Sequence, residues 1–258
     1  MPPIVLAVGA TDPSSGAGVT ADLRMLNSLG IWGTAAVTAV TVQDTRGVEE
    51  VHPLDAAWVA RQIDVVVADL PPAAVKIGAL GNGDVASAVA SALERNNLHD
   101  IVLDPVVLSS SGHPLLDAMG VEVLKSRLLP LCRVLTANWA ELALFSGLPV
   151  DCDDSAMDAA SAIVALGCDS VLAKGGHSND PNRAVDFLVD SSGEVQRFEA
   201  PRVPGPSPHG TGCALSSLIA GYLASGDGLT EAVQKGKSAL SERIAEAATL
   251  GRGAPLLL

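Results

Sequence analysis

The stretch IVLAVGATDPSSGAGVTADLRMLNSL, Ile4 to Leu29, decides the fold class. Residues 4–8 are a short unbroken apolar run, as expected of a strand covered on both faces. The loop GATDPSSGAG follows, and Val19, Leu23, Leu26 and Leu29 then recur on one side of a helix. The same strand–loop–helix alternation continues outward from this unit. Residues 35–42 (AAVTAVTV) read as a strand, and Asp55 caps a helix carrying Val59, Ile63, Val66 and Leu70. Residues 74–77 form a short strand, and Asp84 opens a helix through Val85, Val89 and Leu93. A strand at 101–103 ends at Asp104-Pro105, a helix covers 114–128, and a strand covers 133–135. A helix over 138–145 stops near Gly147, Ser155 caps the next one to Gly167, and a strand at 171–173 runs into KGGH. Strands at 184–189 and 195–200 flank Asp190-Ser191-Ser192-Gly193-Glu194 as a hairpin. A helix then spans 213–223, and Thr230 caps a last helix ending near Gly251.

This order predicts one α/β domain over residues 1–258, with a mostly parallel sheet, helices on both faces and a late hairpin. Ligands in such sheets sit at the carboxyl ends of the strands. Asp12, Gln43, Asp104, Asn138 and Lys174 all fall at or just after predicted strand ends, so a cleft is expected along that edge.

Composition narrows the function classes. The 258 residues carry 29 acidic against 16 basic side chains, a formal charge of -13, so the cationic surface that nucleic acid or anionic lipid requires is missing. Hydrophobic residues make up 48% with only three Trp, one Tyr and three Phe, which leaves a core of Ala, Val, Leu and Ile. The uncharged stretches 25–43 and 203–226 are broken by Gly, Ser, Thr or Asn and do not read as membrane spans. The first residues lack a basic region before the apolar run, so no signal peptide is expected and the chain reads as cytoplasmic. Cysteines 132, 152, 168 and 213 have neither CxxC spacing nor a regular framework, against a disulfide scaffold or structural zinc.

The segment PHGTGCALSSLIAGYL carries the strongest local signal. Gly210 and Gly212 permit tight turns immediately before a helix, whose free N–H groups favour a phosphate oxygen. The same field is expected to lower the pKa of the Cys213 thiol. A glycine turn before an apolar helix, with Cys213 as a small core residue, fits the segment equally well. The first loop has neither a P-loop nor a dinucleotide fingerprint. It suits the floor of a small-substrate site, or a surface turn in which Asp12 and Ser14 cap the helix. Asp104 with Asn138 and Glu141, three residues apart in TANWAEL, suggests a magnesium and phosphate region, since Mg²⁺ prefers carboxylate oxygens and water. Asn138 also reads as a simple helix cap. Lys174 sits where a strand meets glycines, within reach of a phosphate or simply solvated, and Lys237 reads as a surface lysine. His177 and His209 neighbour glycines, and no HExxH, GxSxG or His/Cys metal spacing is present.

Together, TDPSSGAGVTADL, TAVTVQDTRGV, AVKIGALG, VLDPVVLSSSG, LTANWAEL, VLAKGGH and HGTGCALSSLIA resemble the hydroxymethylpyrimidine/phosphomethylpyrimidine kinases of thiamin biosynthesis, a branch of the ribokinase-like superfamily. The order and spacing agree over nearly the whole chain. HGTGC is the most specific piece, because ribokinase relatives usually place a catalytic Asp where this branch has Cys. The resemblance implies a three-layer α/β/α sandwich. It also implies phosphorylation of 4-amino-5-hydroxymethyl-2-methylpyrimidine, and then of its monophosphate, with ATP and Mg²⁺ in a homodimer. Cys213 would be the base, in an anion hole with the Gly210, Thr211 and Gly212 backbone. Gln43 would bond the pyrimidine edge, and Gly9, Ala10, Asp12, Leu80 and Val107 would surround the substrate. Asp104 and Glu141 would organise Mg²⁺, while Asn138, Lys174, Thr211 and Lys237 would face ATP.

The chain departs from that pattern at several places. Ala10 stands for Gly, Leu80 for Met, Asp44 for Asn, Ser110 for a lysine, Ser207-Pro208 for Asn-Thr and Ala137 for Pro. The missing lysine bears on the second phosphorylation. Two other functions fit the same residues. One is a pyridoxal or pyridoxine kinase of the same fold, since that ring also offers a hydroxymethyl group. The other is an inactive domain that binds a pyrimidine or nucleotide.

Overall fold

The computed structural model describes residues 1–175 and 182–258. The chain runs β1 (Ile4–Gly9), α1 (Gly18–Ser28), β2 (Trp32–Val37), and then an antiparallel ribbon of β3 (Ala39–Asp44) and β4 (Gly47–Pro53). Next come α2 (Ala56–Asp69), β5 (Ala74–Ile77), α3 (Gly83–Arg95), β6 (Ile101–Leu103) and α4 (Ala118–Val123). After a wide helical turn and a short tight one, β7 (Val134–Asn138), α5 (Trp139–Ser146), α6 (Asp153–Val164) and β8 (Ser170–Lys174) follow. The chain closes with β9 (Arg183–Asp190), β10 (Val195–Pro201), α7 (Thr211–Ala224) and α8 (Leu229–Ala245).

Eight strands make one sheet in the order β10-β9-β8-β7-β6-β5-β1-β2. The pairings from β2 through β8 are parallel, and β9 and β10 are the antiparallel hairpin. Alternate residues of each strand serve two cores. Leu6, Val8, Val75, Ile77, Leu103 and Leu135 pack under α2, α3, α5 and α6. Val5, Val102, Val134, Leu172 and Leu188 pack under α1, α7 and α8 through Leu26, Leu215, Ile219 and Val233. Parallel strands covered on both faces are apolar at most positions, which is why these runs do not alternate in sequence. The result is the three-layer α/β/α sandwich of the sequence reading. No helix among the described residues is long and apolar enough to cross a membrane.

Strand order reverses between β1 and β5. The connection after β1 leads to β2 on one side, whereas β5 leads away on the other, so a crevice opens above their carboxyl ends.

Several boundaries differ from the sequence reading. Residues 35–42 are two strands, because Thr38 breaks the run: it is fully buried, its N–H donates to the Gly9 carbonyl and its hydroxyl to the Ala79 carbonyl. β3 therefore leaves the main sheet and pairs with β4, which its charges and histidine had hidden. Asp55 caps α2 as expected, but Asn82, not Asp84, caps α3. The helix expected from residue 114 starts only after Asp117, whose carboxylate accepts from Gly120 N. Cys152 replaces Ser155 as the cap of α6, and Gly228 replaces Thr230 before α8, which ends at Ala245.

Candidate active site

A cleft of about 1260 Å³ lies over the switch point, lined by the first loop, the ribbon, the ends of β6, β7 and β8, and the start of α7. Gly210 enters α7 with φ +78°, a left-handed conformation that glycine adopts without strain. It offers no side-chain cap, and the first backbone bond into the helix comes from Ala214 N to the Gly210 carbonyl. Among the described residues no side chain caps the first N–H groups of α7, and Thr211, Gly212 and Cys213 line the cleft. A Cβ on Gly212 would stand 3.5 Å from both Asp104 Oδ2 and Lys174 Nζ, so the absent side chain keeps that space open.

The thiol of Cys213 is not acidified as the helix-terminus argument predicted. Burial pushes its pKa up to about 11, with Asp22 and Asp104 adding to the rise. Lys76 and a hydrogen bond from the Gly18 backbone oppose it and lose. A helix terminus contributes partial charge only, while removing a thiolate from water acts on a full one.

Lys174 Nζ lies 3.0 Å from Asp104 Oδ1 and 3.8 Å from Glu141 Oε2. Burial raises the Glu141 carboxyl to about 7, with Lys174 opposing and Asp104 adding. Asn138 and Glu141 form a reciprocal cap at the start of α5: Asn138 N donates to Glu141 Oε2 at 2.8 Å, and Glu141 N donates to Asn138 Oδ1 at 3.0 Å. Asn138 is thus a cap that also lines the cleft. Lys237 is not a surface residue. It is buried in the cleft wall with Nζ 2.6 Å from Asp186 Oδ2, and Asp186 Oδ1 accepts from Gly175 N at 2.9 Å.

The donor set suits Mg²⁺ rather than a softer metal. Among the described residues no three His, Cys, Asp or Glu side chains gather, but Mg²⁺ needs only one or two carboxylates beside water and phosphate oxygens. Lys174 and Thr136 both turn to Asp104 Oδ1. Asp104 Oδ2 faces the open space beside Gly212.

At the ribbon end of the cleft, Gln43 is the next-to-last residue of β3, off the main sheet, after a bulge between Val42 and Gln43. Its Nε2 lies 2.8 Å from His209 Nε2, which is also 3.2 Å from Asp12 Oδ2. With its proton on Nδ1 the imidazole accepts from Gln43; with it on Nε2 it donates to Asp12. Asp12 clamps the first loop: Oδ1 accepts from the N–H and hydroxyl of Ser14, and Oδ2 from Gly16 N and Ala17 N. Burial tends to raise its pKa, but bonds from His209, Ser14 and Ala17 hold it below the usual value. Ala10 and Val107 line the cleft; Gly9 and Leu80 do not. Leu80 points into the core and Ala79 lines the cleft beside it. Ser110 occupies the cleft wall where the family pattern has a lysine, with Oγ 3.5 Å from His209 Nδ1. His177 lies outside the described residues.

Two features escaped the sequence reading. The C-terminal tail folds over the cleft: His209 N donates to the Pro255 carbonyl at 2.9 Å, and Ala254 N to the Thr45 carbonyl at 2.9 Å. Beneath the cleft, Lys76 is buried with Nζ 2.9 Å from Asp22 Oδ2, while Ser217 Oγ donates to Asp22 Oδ1 at 2.8 Å. The signal for the second was a lysine inside the apolar strand AVKI.

The model of the phosphomethylpyrimidine kinase family matches residues 12–257. The hydroxymethylpyrimidine/phosphomethylpyrimidine kinase of Escherichia coli K12 is 40% identical over 249 residues, covering 96% of this chain and 93% of its own. The crystal structure of the phosphomethylpyrimidine kinase of Clostridium difficile 630 superposes with a TM-score of 0.82 at 34% identity, covering 93% of this chain and 98% of its own. An ADP complex of Bacillus subtilis pyridoxal kinase gives a TM-score of 0.90 at 27% identity, covering 99% and 96%. The chain belongs to the phosphomethylpyrimidine kinase family.

Proposed function

We propose that this chain transfers the γ-phosphoryl group of ATP to the hydroxymethyl oxygen of 4-amino-5-hydroxymethyl-2-methylpyrimidine, and then phosphorylates the monophosphate to the diphosphate. Membership of the family makes the chain a hydroxymethylpyrimidine/phosphomethylpyrimidine kinase with ATP as phosphate donor. The observation that carries the residue assignment is the convergence of Cys213, the uncapped start of α7, Lys174 and Gln43 on one cleft.

In this reading Gln43 bonds the pyrimidine edge, with Ala10, Val107 and the first loop held by Asp12 around the ring. Gly9 and Leu80 support that wall from behind. With Cys213 as the thiolate, the substrate hydroxyl gives its proton to Sγ as its oxygen bonds to phosphorus and the bond to ADP breaks. The Gly210, Thr211 and Gly212 backbone surrounds the transferring group, whose charge the N–H groups of Thr211 and Gly212 meet. Asn138, Lys174, Thr211 and Lys237 face the nucleotide. Asp104 and Glu141 would hold Mg²⁺, which when bound offsets charge on the phosphates. Positioning and charge compensation are most of what phosphoryl transfer requires.

The whole of residues 1–258 acts as one domain in this reading, since the tail reaches back to His209 and Thr45. A homodimer in the cytoplasm belongs to it as well, with exposed Val40 and Val42 on β3 as surface for a second copy. The charge of -13 supports a small-molecule partner over nucleic acid or membrane.

Cys213→Ala tests the assignment. ADP production on the pyrimidine alcohol falls by roughly 10²–10⁴-fold in kcat, the range of one general base, while ATP binding persists; the monophosphate, whose acceptor oxygen carries no proton, is affected less. Near wild-type turnover in that variant removes Cys213 from catalysis. The close superposition on pyridoxal kinase favours pyridoxal as a second reading. A higher kcat/KM on pyridoxal than on the pyrimidine would select it.

A further inference from the structure

We propose that Lys76 is a positioning residue for catalysis, an ammonium fixed beneath the cleft by Asp22 so that it faces the Cys213 thiolate when the thiol gives up its proton. The inference rests on the reading of Cys213 as the base.

Lys76 and Asp22 are both fully buried, on β5 and α1. Burying a lysine and a carboxylate costs several kcal/mol per ion, and an apolar pair of the same volume often serves stability as well or better. Core stability therefore gives no reason for a charged pair here. Its surroundings do. β5 flanks the strand-order reversal, and Lys76 projects to the α1–α7 face of the sheet, as its partner Asp22 on α1 shows. Asp22 in turn accepts from Ser217, one helical turn beyond Cys213 on α7. Asp22 thus ties Lys76 to α7 one turn from Cys213, and it is the single hydrogen-bond partner of the Lys76 ammonium among the described residues. The ammonium has two further N–H groups for a second anion.

Gly78 marks the approach. A Cβ there would lie 2.7 Å from Lys76 Nζ, so a glycine at the start of the Gly78–Leu80 turn is what lets the ammonium lie directly under the cleft floor. Charges face the thiol from four elements: Asp22 on α1, Lys76 on β5, Asp104 after β6, and Lys174 on β8. Lys76 exerts the largest of the charge effects on Cys213, and it favours the thiolate. Lys76 itself stays a cation throughout, its pKa raised by Asp22, Cys213 and Asp104 against burial.

The test reads Cys213 directly, without turnover. The rate of iodoacetamide alkylation at Cys213 is followed by peptide mass spectrometry at pH 8 in a Cys152→Ser background, because Cys152 is exposed. Lys76→Met slows alkylation by about tenfold, one pH unit of thiol ionisation, the lower end for loss of a nearby opposite charge. Asp22→Asn speeds it by a similar factor, because a negative charge is removed and Lys76 is released toward the thiol. Lys76→Met/Asp22→Leu keeps the core neutral and slows it less, and Gly78→Ala slows it by displacing the ammonium. Circular dichroism melts identify which variants are folded. The proposal predicts opposite signs for the Lys76 and Asp22 substitutions, which a role in folding alone does not. Unchanged rates in folded variants, or shifts of one sign at both residues, overturn it. If Cys213→Ala retains turnover, the reading of Cys213 as base falls, while the alkylation rates still report whether Lys76 faces the thiol.

Discussion

Glu141→Gln is expected to stabilise the ligand-free protein at pH 8.5 and leave it unchanged at pH 4.5. Burial, the leading cause, raises this carboxyl from an ordinary 4.5 to about 7, with Asp104 adding and Lys174 opposing. The folded chain therefore binds more protons here than the unfolded chain across that interval. A raised carboxyl pKa makes the folded state favourable while protonated, and the advantage is lost as pH climbs through 7. The rise corresponds to a few kcal/mol, on the order of 3 at full ionisation, using about 1.36 kcal/mol per unit. Glutamine is neutral at every pH and its side-chain oxygen accepts from Asn138 N as Glu141 Oε2 does, so the cap of α5 survives. For a chain of this size about 1 kcal/mol moves Tm by roughly 2–4 °C, so the variant melts roughly 6–12 °C higher at pH 8.5. Paired melts with chelator present, at both pH values, cancel every other titrating group. Equal Tm differences at the two pH values, or a variant that melts lower at pH 8.5, refute the reasoning.

Two further outcomes follow from the cleft. The logarithm of kcat/KM rises with pH from 7 to 9, because Cys213 holds its proton to about 11 and a base acts only when deprotonated. Cys213→Asp flattens that rise, since a carboxyl starts from about 3.9; an equally steep rise in the variant removes the thiol as its origin. Gly212→Val places a Cβ 3.5 Å from Asp104 Oδ2 and Lys174 Nζ and sends its two methyl groups into the space around it. Turnover falls by about 100-fold or more, as a misplacement near 1 Å does, with Tm little changed, and normal turnover contradicts the placement of phosphate there.

The layers of the fold were legible because each strand of the parallel sheet is an apolar run and each helix a periodic one. The ribbon was not, because Thr38 interrupts a run of β-branched residues through contacts to Gly9 and Ala79 that are distant in sequence. Topology put Asp104 and Lys174 at strand ends, and the structure brings the two together in the cleft. The failures were of burial. Lys237 looked exposed on a polar helix because Asp186, 51 residues away, cannot be seen in the local pattern. Cys213 looked acidified because the helix terminus is local, whereas desolvation and the aspartates beneath it are tertiary. Lys76 was visible as a letter, but its meaning depends on Asp22 and Ser217 meeting it from two helices.

Three lysines, Lys76 and Lys237 buried and Lys174 partly exposed, lie at or beneath the cleft, and each is already paired with an aspartate: Lys76 with Asp22 at 2.9 Å, Lys174 with Asp104 at 3.0 Å and Lys237 with Asp186 at 2.6 Å. This explains how a chain of charge -13 keeps lysines in place inside a site it would open to a polyanion. It also limits what they do for a nucleotide. Pairs that are neutral at rest add no net charge to offset phosphates, so a lysine helps only by turning from its carboxylate to a phosphate oxygen. Lys174 is best placed to do so, being partly exposed at the mouth of the space beside Gly212. Once it turns, Asp104 loses its cation while buried beside incoming phosphates, an arrangement that burial makes costly. A divalent cation held by Asp104 in place of the ammonium would remove that cost. In the proposed reading, Mg²⁺ held at Asp104 would thus answer the pre-pairing of the lysines, and not a shortage of positive charge in the sequence.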